Sequence, residues 1–318
     1  MKKLIALLLV TLLALTGAAF AEEAPEELNT DITVGFCPMD LSNNFFANIA
    51  NSLEAYAEEM GVTTIITDGG SDAAKQVSAL ENFIVQGVDA IVVVPVDANS
   101  LTGVIAEAKD AGIPVITHTT YYEDATCNMN VDELEMGTAN GRNAGAWLAE
   151  TFGEDAAVKY AILTQSSLEQ TIGRENGIKA GIAEFMPNAE CVMTVDAHTT
   201  DLGITAAEDI LTAHPDIVAI MGINDSGCLG AYETVVAQGI DQSKFFIGGN
   251  DGTEQALRLI KEGTCYRGTV DLNPVDTGKL MIDYAIAACN GQEIPHEYMV
   301  PVAAVNIDNV DQYLSMYE

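Results

Sequence analysis

From Asp31 onward the chain alternates short apolar runs with longer stretches whose apolar residues recur at helical spacing. Ile32-Thr33-Val34-Gly35-Phe36-Cys37 reads as a first strand. Phe46, Ile49, Ala50, Leu53, Ala57 and Met60 follow at the spacing of one helix face, predicting a helix over 47–60. The alternation continues with a strand over 62–67, a helix over 72–86, a strand over 88–94, a helix over 100–111 and a strand over 113–117. A short strand near 126–131 then precedes a helix over 135–152. The pattern restarts with strands over 158–163, 190–195, 217–222, 244–248 and 264–270. Helices over 174–186, 203–214, 226–238, 253–262 and 274–290 separate and follow them, and an apolar stretch at 298–302 lies in the tail.

Val88–Val94 is apolar throughout, as a strand covered on both faces must be. Strands separated by helical segments predict an α/β fold of parallel sheets with helices on both faces. A weak internal repeat suggests two such units. Asp89-Ala-Ile-Val-Val-Val leads to Ala111-Gly112-Ile113, and Asp216-Ile-Val-Ala-Ile-Met leads at the same interval to Gln238-Gly239-Ile240. Two lobes of like topology fit this better than one continuous sheet.

Composition narrows the function classes. The first 21 residues read as an export signal: Lys2-Lys3, an apolar centre from Leu4 to Leu15, and Ala19-Phe20-Ala21 as a small-x-small cleavage site. Cleavage after Ala21 exposes an acidic leader over 22–30. The apolar centre is too short to span a bilayer, and the expected product is soluble and periplasmic or otherwise exported. A formal net charge of −34 excludes nucleic acid, which needs a basic footprint. It favours a soluble monomer. The six Cys contain no CxxC pair and fall mostly inside apolar strands or helices. That argues for buried thiols rather than a zinc or redox site.

The chemistry gathers where strands end. Met39-Asp40-Leu41-Ser42-Asn43-Asn44-Phe45-Phe46 lies between the first strand and the first helix, at the carboxyl end of a strand where open α/β sheets bind ligands. Amides donate and accept at once, and aromatic faces make flat apolar walls. Together they suit a neutral, polyhydroxylated ligand. Taken alone, the segment equally describes a helix cap with two core Phe.

Further segments carry a signal together with this one through their order and spacing: Gly112-Ile113-Pro114-Val115-Ile116-Thr117, Arg174-Glu175-Asn176-Gly177, Leu211-Thr212-Ala213-His214-Pro215-Asp216, Ile223-Asn224-Asp225 and Gly249-Asn250-Asp251-Gly252. With Asn43–Phe46 they make the chain resemble the periplasmic sugar-binding proteins of the ribose-binding type, over about Ile32 to Val302. The resemblance implies the type I periplasmic-binding-protein fold: two similar lobes joined by three hinge segments, with the ligand between them. Residues 31–130 plus 270–297 would form one lobe, and 131–269 plus 298–318 the other. It also implies a soluble receptor of an ABC importer, with a membrane permease as partner and no cofactor.

Carried over position by position, the resemblance implies that Asn43 bonds a sugar hydroxyl, that Phe45 and Phe46 flank the ring, and that Arg174 offers forked donors from the second lobe. Asn224 would donate and accept, and Asp251 would accept from neighbouring hydroxyls. Three departures stand out. His118-Thr119-Thr120 replaces an Asp-Arg pair, His198 falls where an aromatic is usual, and Asp271-Leu272 falls near a usual Gln. His118, Thr119, His198 and Asp271 are therefore candidates for ligand contact in a site whose ligand need not be ribose.

Rival chemistries are poorly supported. Gly248-Gly249-Asn250-Asp251-Gly252 has its glycines misplaced for a dinucleotide fingerprint, and Asp251 there would repel a phosphate. No GxxxxGK[ST], GxSxG or HExxH occurs. Asp225-Ser226 has no His at a known spacing, and a helix cap explains it. The four His show no metal-site pattern. A lactose-repressor-type effector core shares the fold, but no basic helix-turn-helix precedes Ile32. A receptor presenting its ligand to a chemoreceptor has the same sequence signature.

Overall fold

The computed structural model describes residues 28–317, so the export signal and most of the acidic leader lie outside the described residues. In chain order the elements begin with β1 (Thr33–Cys37), α1 (Asn44–Met60), β2 (Thr63–Ile66), α2 (Ala73–Gln86), β3 (Ala90–Val93), α3 (Thr102–Asp110), β4 (Val115–His118) and β5 (Cys127–Asn130). Then come α4 (Glu133–Phe152), β6 (Lys159–Thr164), α5 (Glu169–Phe185), β7 (Glu190–Asp196), α6 (Thr200–Ala213), β8 (Ile217–Gly222), α7 (Asp225–Ala237), β9 (Phe246–Gly248), α8 (Glu254–Lys261) and β10 (Tyr266–Asp271). Last are α9 (Pro274–Cys289), β11 (Glu297–Met299), β12 (Ala303–Val305) and α10 (Val310–Leu314).

These strands form two six-stranded sheets, ordered β11-β5-β4-β3-β1-β2 and β12-β10-β9-β8-β6-β7. All pairings are parallel except β12 against β10. The orders correspond strand for strand, and the Asp-to-Gly repeat falls on the equivalent strands β3 and β8. Gly112 and Gly239, which close its two copies, both take left-handed φ, at 79° and 67°. Each sheet is buried on both faces. Val34, Phe36 and Val92 pack under α1 and α9, whereas Ile91, Val93 and Val115 pack under α2 and α3. In the second sheet Leu163, Ile220 and Ile247 face one core cluster, and Ile162, Ala219 and Met221 the other.

The chain passes from the first sheet to the second after β5, returns after β10, and passes again after β11. Helix α9 therefore packs on α1, with Ser52 Oγ donating to the carbonyl of Val275 at 2.6 Å. Helices α4 and α5 meet backbone to backbone. A Cβ on Gly137 would fall 2.0 Å from the carbonyl oxygen of Arg174, and one on Gly177 would fall 2.2 Å from that of Leu134. No helix among the described residues is long and apolar enough to cross a membrane.

Boundaries depart from the sequence expectation at several points. Helix α1 begins at Asn44 rather than 47; α5 begins at Glu169 rather than 174 and α6 at Thr200 rather than 203, because the first turns of these two are mostly polar and their apolar residues Ile172 and Leu202 are exposed. Arg174 thus lies in the second turn of α5. The apolar stretch at 298–302 is not one strand: Pro301 separates β11 in one sheet from β12 in the other.

Candidate functional site

A cavity of about 260 Å³ lies between the carboxyl ends of the two sheets, lined from both. The first lobe contributes the β1–α1 turn. Asn43 caps α1, its Oδ1 accepting from the Phe45 amide at 2.9 Å, which leaves the Nδ2 group for other partners. Helical spacing turns the next residues apart. Phe45 is 4% exposed and packs into the core beneath the cavity, whereas Phe46 is half-buried at its wall.

Asp40 joins this turn to the one after β2. Its Oδ1 accepts from the Ser42 amide and hydroxyl at 2.8 and 2.7 Å, and its Oδ2 accepts from Ser71 Oγ at 2.7 Å. Burial works to raise the Asp40 carboxyl, but these bonds outweigh it and hold it below the usual range.

The second lobe contributes Arg174, Asn224 and Asp251. Arg174 is bidentate on Glu133, the first residue of α4, through Nε and through Nη2, the latter at 3.2 Å. Its Nη1 donates to the carbonyl of Ile223 at 2.9 Å and stands 3.9 Å from Asp251 Oδ1. Burial would strip the guanidinium of its proton, but the Glu133 ion pair outweighs that and raises its pKa. A guanidinium has five N–H groups, so two remain open. Asn224 caps α7, its Oδ1 accepting from Gly227 N at 3.1 Å and its Nδ2 donating to the His198 carbonyl at 2.8 Å. One amide N–H remains.

Asp251 has φ of 115°, far outside ordinary L-residue space. The residue is 4% exposed, and its carboxyl is raised well above the usual range, first by burial and then by Asp225, with Arg174 opposing. Asp225 is fully buried and accepts four bonds: Tyr266 Oη at 2.7 Å, Thr269 Oγ1 at 2.8 Å, Thr253 N at 2.8 Å and Thr253 Oγ1 at 2.9 Å. Burial pushes it up to about 6 against those donors. It is a structural post beneath Asp251, not half of a hydrolytic pair with Ser226.

Of the residues singled out from the sequence, Asn43, Phe45, Phe46, Thr119, Arg174, His198, Asn224 and Asp251 line the cavity. His118 and Asp271 do not. His118 is fully buried, its ring 6.2 Å from that of Phe45, with neither ring nitrogen bonded. Burial, helped by the charge of Arg174, pushes its pKa down to about 4, so it stands neutral.

Asp271 is 3% exposed and pairs with Ala303 of β12, while the next residue, Leu272, faces the cavity. A Cβ on Gly252 would fall 2.3 Å from Asp271 Oδ1, so the Asp251–Gly252 turn is closed over it.

Sequence reasoning missed Asp40, Ser71, Gln165 and Thr171 as lining residues, and Glu133 behind Arg174. Ser71 and Gln165 follow β2 and β6, so the strand-end rule could have flagged them. Among the described residues no group of three or more His, Cys, Asp or Glu side chains is arranged to hold a metal.

A family model described as "Periplasmic binding protein domain" matches residues 34–293. The chain is 29% identical over 307 residues to the ribose import binding protein of Bacillus subtilis, covering 94% of this chain and 95% of that protein. It is 27% identical over 298 residues to a putative rhizopine-binding protein of Rhizobium meliloti, covering 88% and 92%. Among solved structures, an ABC transporter solute binding protein from Actinobacillus succinogenes with bound D-allose superposes with a TM-score of 0.80 at 27% identity, covering 89% of this chain and all of that one. One from Bacillus halodurans with bound myo-inositol also gives 0.80, at 26% identity and 91% and 99% coverage.

Proposed function

The chain belongs to the periplasmic binding protein family, and on that premise we propose that it is the substrate-binding component of an ABC importer for a small neutral polar ligand, a monosaccharide or polyol. One observation carries the ligand class. After internal bonding is counted, the cavity still offers open donors on Asn43, Asn224 and Arg174, an acceptor on Asp251, and the face of Phe46. A polyol matches such a mixed array, since every hydroxyl donates and accepts. Unpaired groups in a buried site cost roughly 1–3 kcal/mol each, which gives the array its selectivity.

Capture works by hinge closure. The lobe built on the first sheet brings Asn43 and Phe46, and the lobe built on the second brings Arg174, Asn224 and Asp251. Only the closed state lets a ligand touch both sets, and that difference in affinity drives closure. The protein is exported by its first 21 residues, acts as a monomer without catalysis or cofactor, and delivers the ligand to a membrane permease. The relatives named above are importer or binding components rather than regulators, which favours transport over the repressor-core reading.

A thermal-shift screen of aldopentoses, aldohexoses and inositols tests this. A true ligand at 100 times its dissociation constant adds about 2.7 kcal/mol of stability. Stabilisation by amino acids or nucleotides, with none by any neutral polyol, would sink the proposal.

A further inference from the structure

Among the described residues, Arg174 is the one Lys or Arg that lines the cavity, and it is already neutralised from behind. Glu133 lies outside the cavity lining, yet it takes two of the Arg174 donors, and both side chains are nearly buried at 14% and 11% exposure. Asp251 stands 3.9 Å from the same guanidinium on its cavity side. His118, close enough for Arg174 to depress its pKa, is neutral and contributes no positive charge. Asp40, whose carboxyl is held below the usual range, puts a negative charge on the wall. Arginine's forked donors ordinarily make it a strong receptor for carboxylates and phosphates. Here the fork is turned onto an internal carboxylate, and what faces the cavity is an arginine edge with its charge cancelled.

We infer that Glu133 is the residue that sets the charge selectivity of this cleft, holding Arg174 as a neutralised donor so that the site takes uncharged polyhydroxy compounds and rejects their carboxylate derivatives. The inference rests on the proposed binding function and deepens it. The placement of Glu133 is fixed by the fold: it is the first residue of α4, capped by Asp132, and the backbone contact of α4 with α5 holds it against Arg174. With Glu133 uncharged, the guanidinium has an unmatched positive charge beside the cavity, which attracts a ligand carboxylate from the cavity side. Glu133 is thus a positioning residue that acts through Arg174.

Calorimetric titration of D-allose, D-ribose and D-galactose, each alongside its aldonic acid, against wild type, Glu133→Gln and Glu133→Asp tests the inference. In wild type the neutral member of the bound pair is preferred. In Glu133→Gln the neutral-to-acid affinity ratio falls by at least about tenfold, because a buried charge interaction at this range is worth more than that. Glu133→Asp keeps the charge and returns the ratio toward wild type. General loosening of α4 and α5 would weaken both members alike and leave the ratio unchanged; that result overturns the inference. A wild-type protein that prefers the acids overturns it too, while leaving a binding protein. Wild type that takes up no member of these pairs and no other neutral sugar or inositol overturns the proposed function itself, and is distinguishable on that ground.

Discussion

The rings of Phe45 and Phe46 meet edge to face, with centroids 5.3 Å apart and planes at 69°, so that one consecutive pair serves both the core and the cavity wall. Phe45 packs among Phe36, Ile49 and other core residues, and Phe46 stands half-buried beside the cavity. Their truncations should therefore separate. Phe45→Ala is expected to cost about 3–5 kcal/mol of stability, as large core deletions do. Phe46→Ala should lose ligand affinity by about tenfold or more while losing less than half as much stability. Denaturant titration paired with ligand titration measures both; equal stability losses would refute the division.

Thr119 lines the cavity at φ of 67°, and its hydroxyl is buried without a partner. A β-branched residue in that region stores about 1–3 kcal/mol, more than the roughly 0.5–1 kcal/mol that glycine costs in the unfolded chain. Thr119→Gly is expected to hold or raise stability, while Thr119→Ala keeps the strain and does not. Ligand affinity should fall in both. A clear loss of stability in Thr119→Gly would show that the conformation is not strained.

The Asp271 carboxyl is pushed up to about 7, chiefly by burial, with the Asn273 amide opposing and Asp225 adding to the rise. In an unfolded chain it titrates near about 4, so between those values the folded protein binds more protons and stability falls as pH rises. Asp271→Asn removes that dependence. Relative to wild type it should gain about 2–4 kcal/mol between pH ~4 and pH ~7 and be flat above. A constant difference across a pH series of melting curves would contradict the assignment.

His118 acts in the opposite sense. Its pKa of about 4 lies below the unfolded value, so the folded state binds fewer protons below pH ~6.5, and stability is lost as pH falls toward 4. His118→Leu should lessen the acid loss of stability relative to wild type. Melting curves between pH 4 and pH 7 decide it.

All six cysteines are free thiols, four of them fully buried. Burial pushes Cys37 up to about 12 and Cys127, Cys265 and Cys289 up to about 11. Native protein should react slowly at pH 8, at most at half-buried Cys191 and Cys289. All six should react after unfolding, and reductant should leave the melting temperature unchanged. A thiol count below six on the unfolded, unreduced protein would reveal a disulfide.

The sheets were legible because strands buried on both faces are unbroken apolar runs. The strand-end positions of Asn43, Asn224 and Asp251 followed once those strands were placed. What the sequence hid was side-chain direction. Asp271 and Leu272 are neighbours, as are His118 and Thr119, and in each pair one is buried away from the cavity while the other faces it. Which of two adjacent residues faces a site turns on a single step of backbone parity that a spacing argument does not resolve. Glu133 was hidden for another reason. An acidic residue in the first turn of a helix is ordinary, and its partner is 41 positions away.

The three passages of the chain between sheets have a consequence for how the molecule comes into being. The first sheet lacks its edge strand β11, and its core lacks the cover of α9, until residues beyond 270 are present. Asn29 and Asn290, 261 positions apart, exchange two hydrogen bonds across that seam. Closure of such long loops is slow, and the first lobe cannot be completed from the early chain. With this connectivity the first sheet stays incomplete until almost all of the chain has been made. That is the state in which a chain can still be threaded through a translocation pore before it folds on the far side.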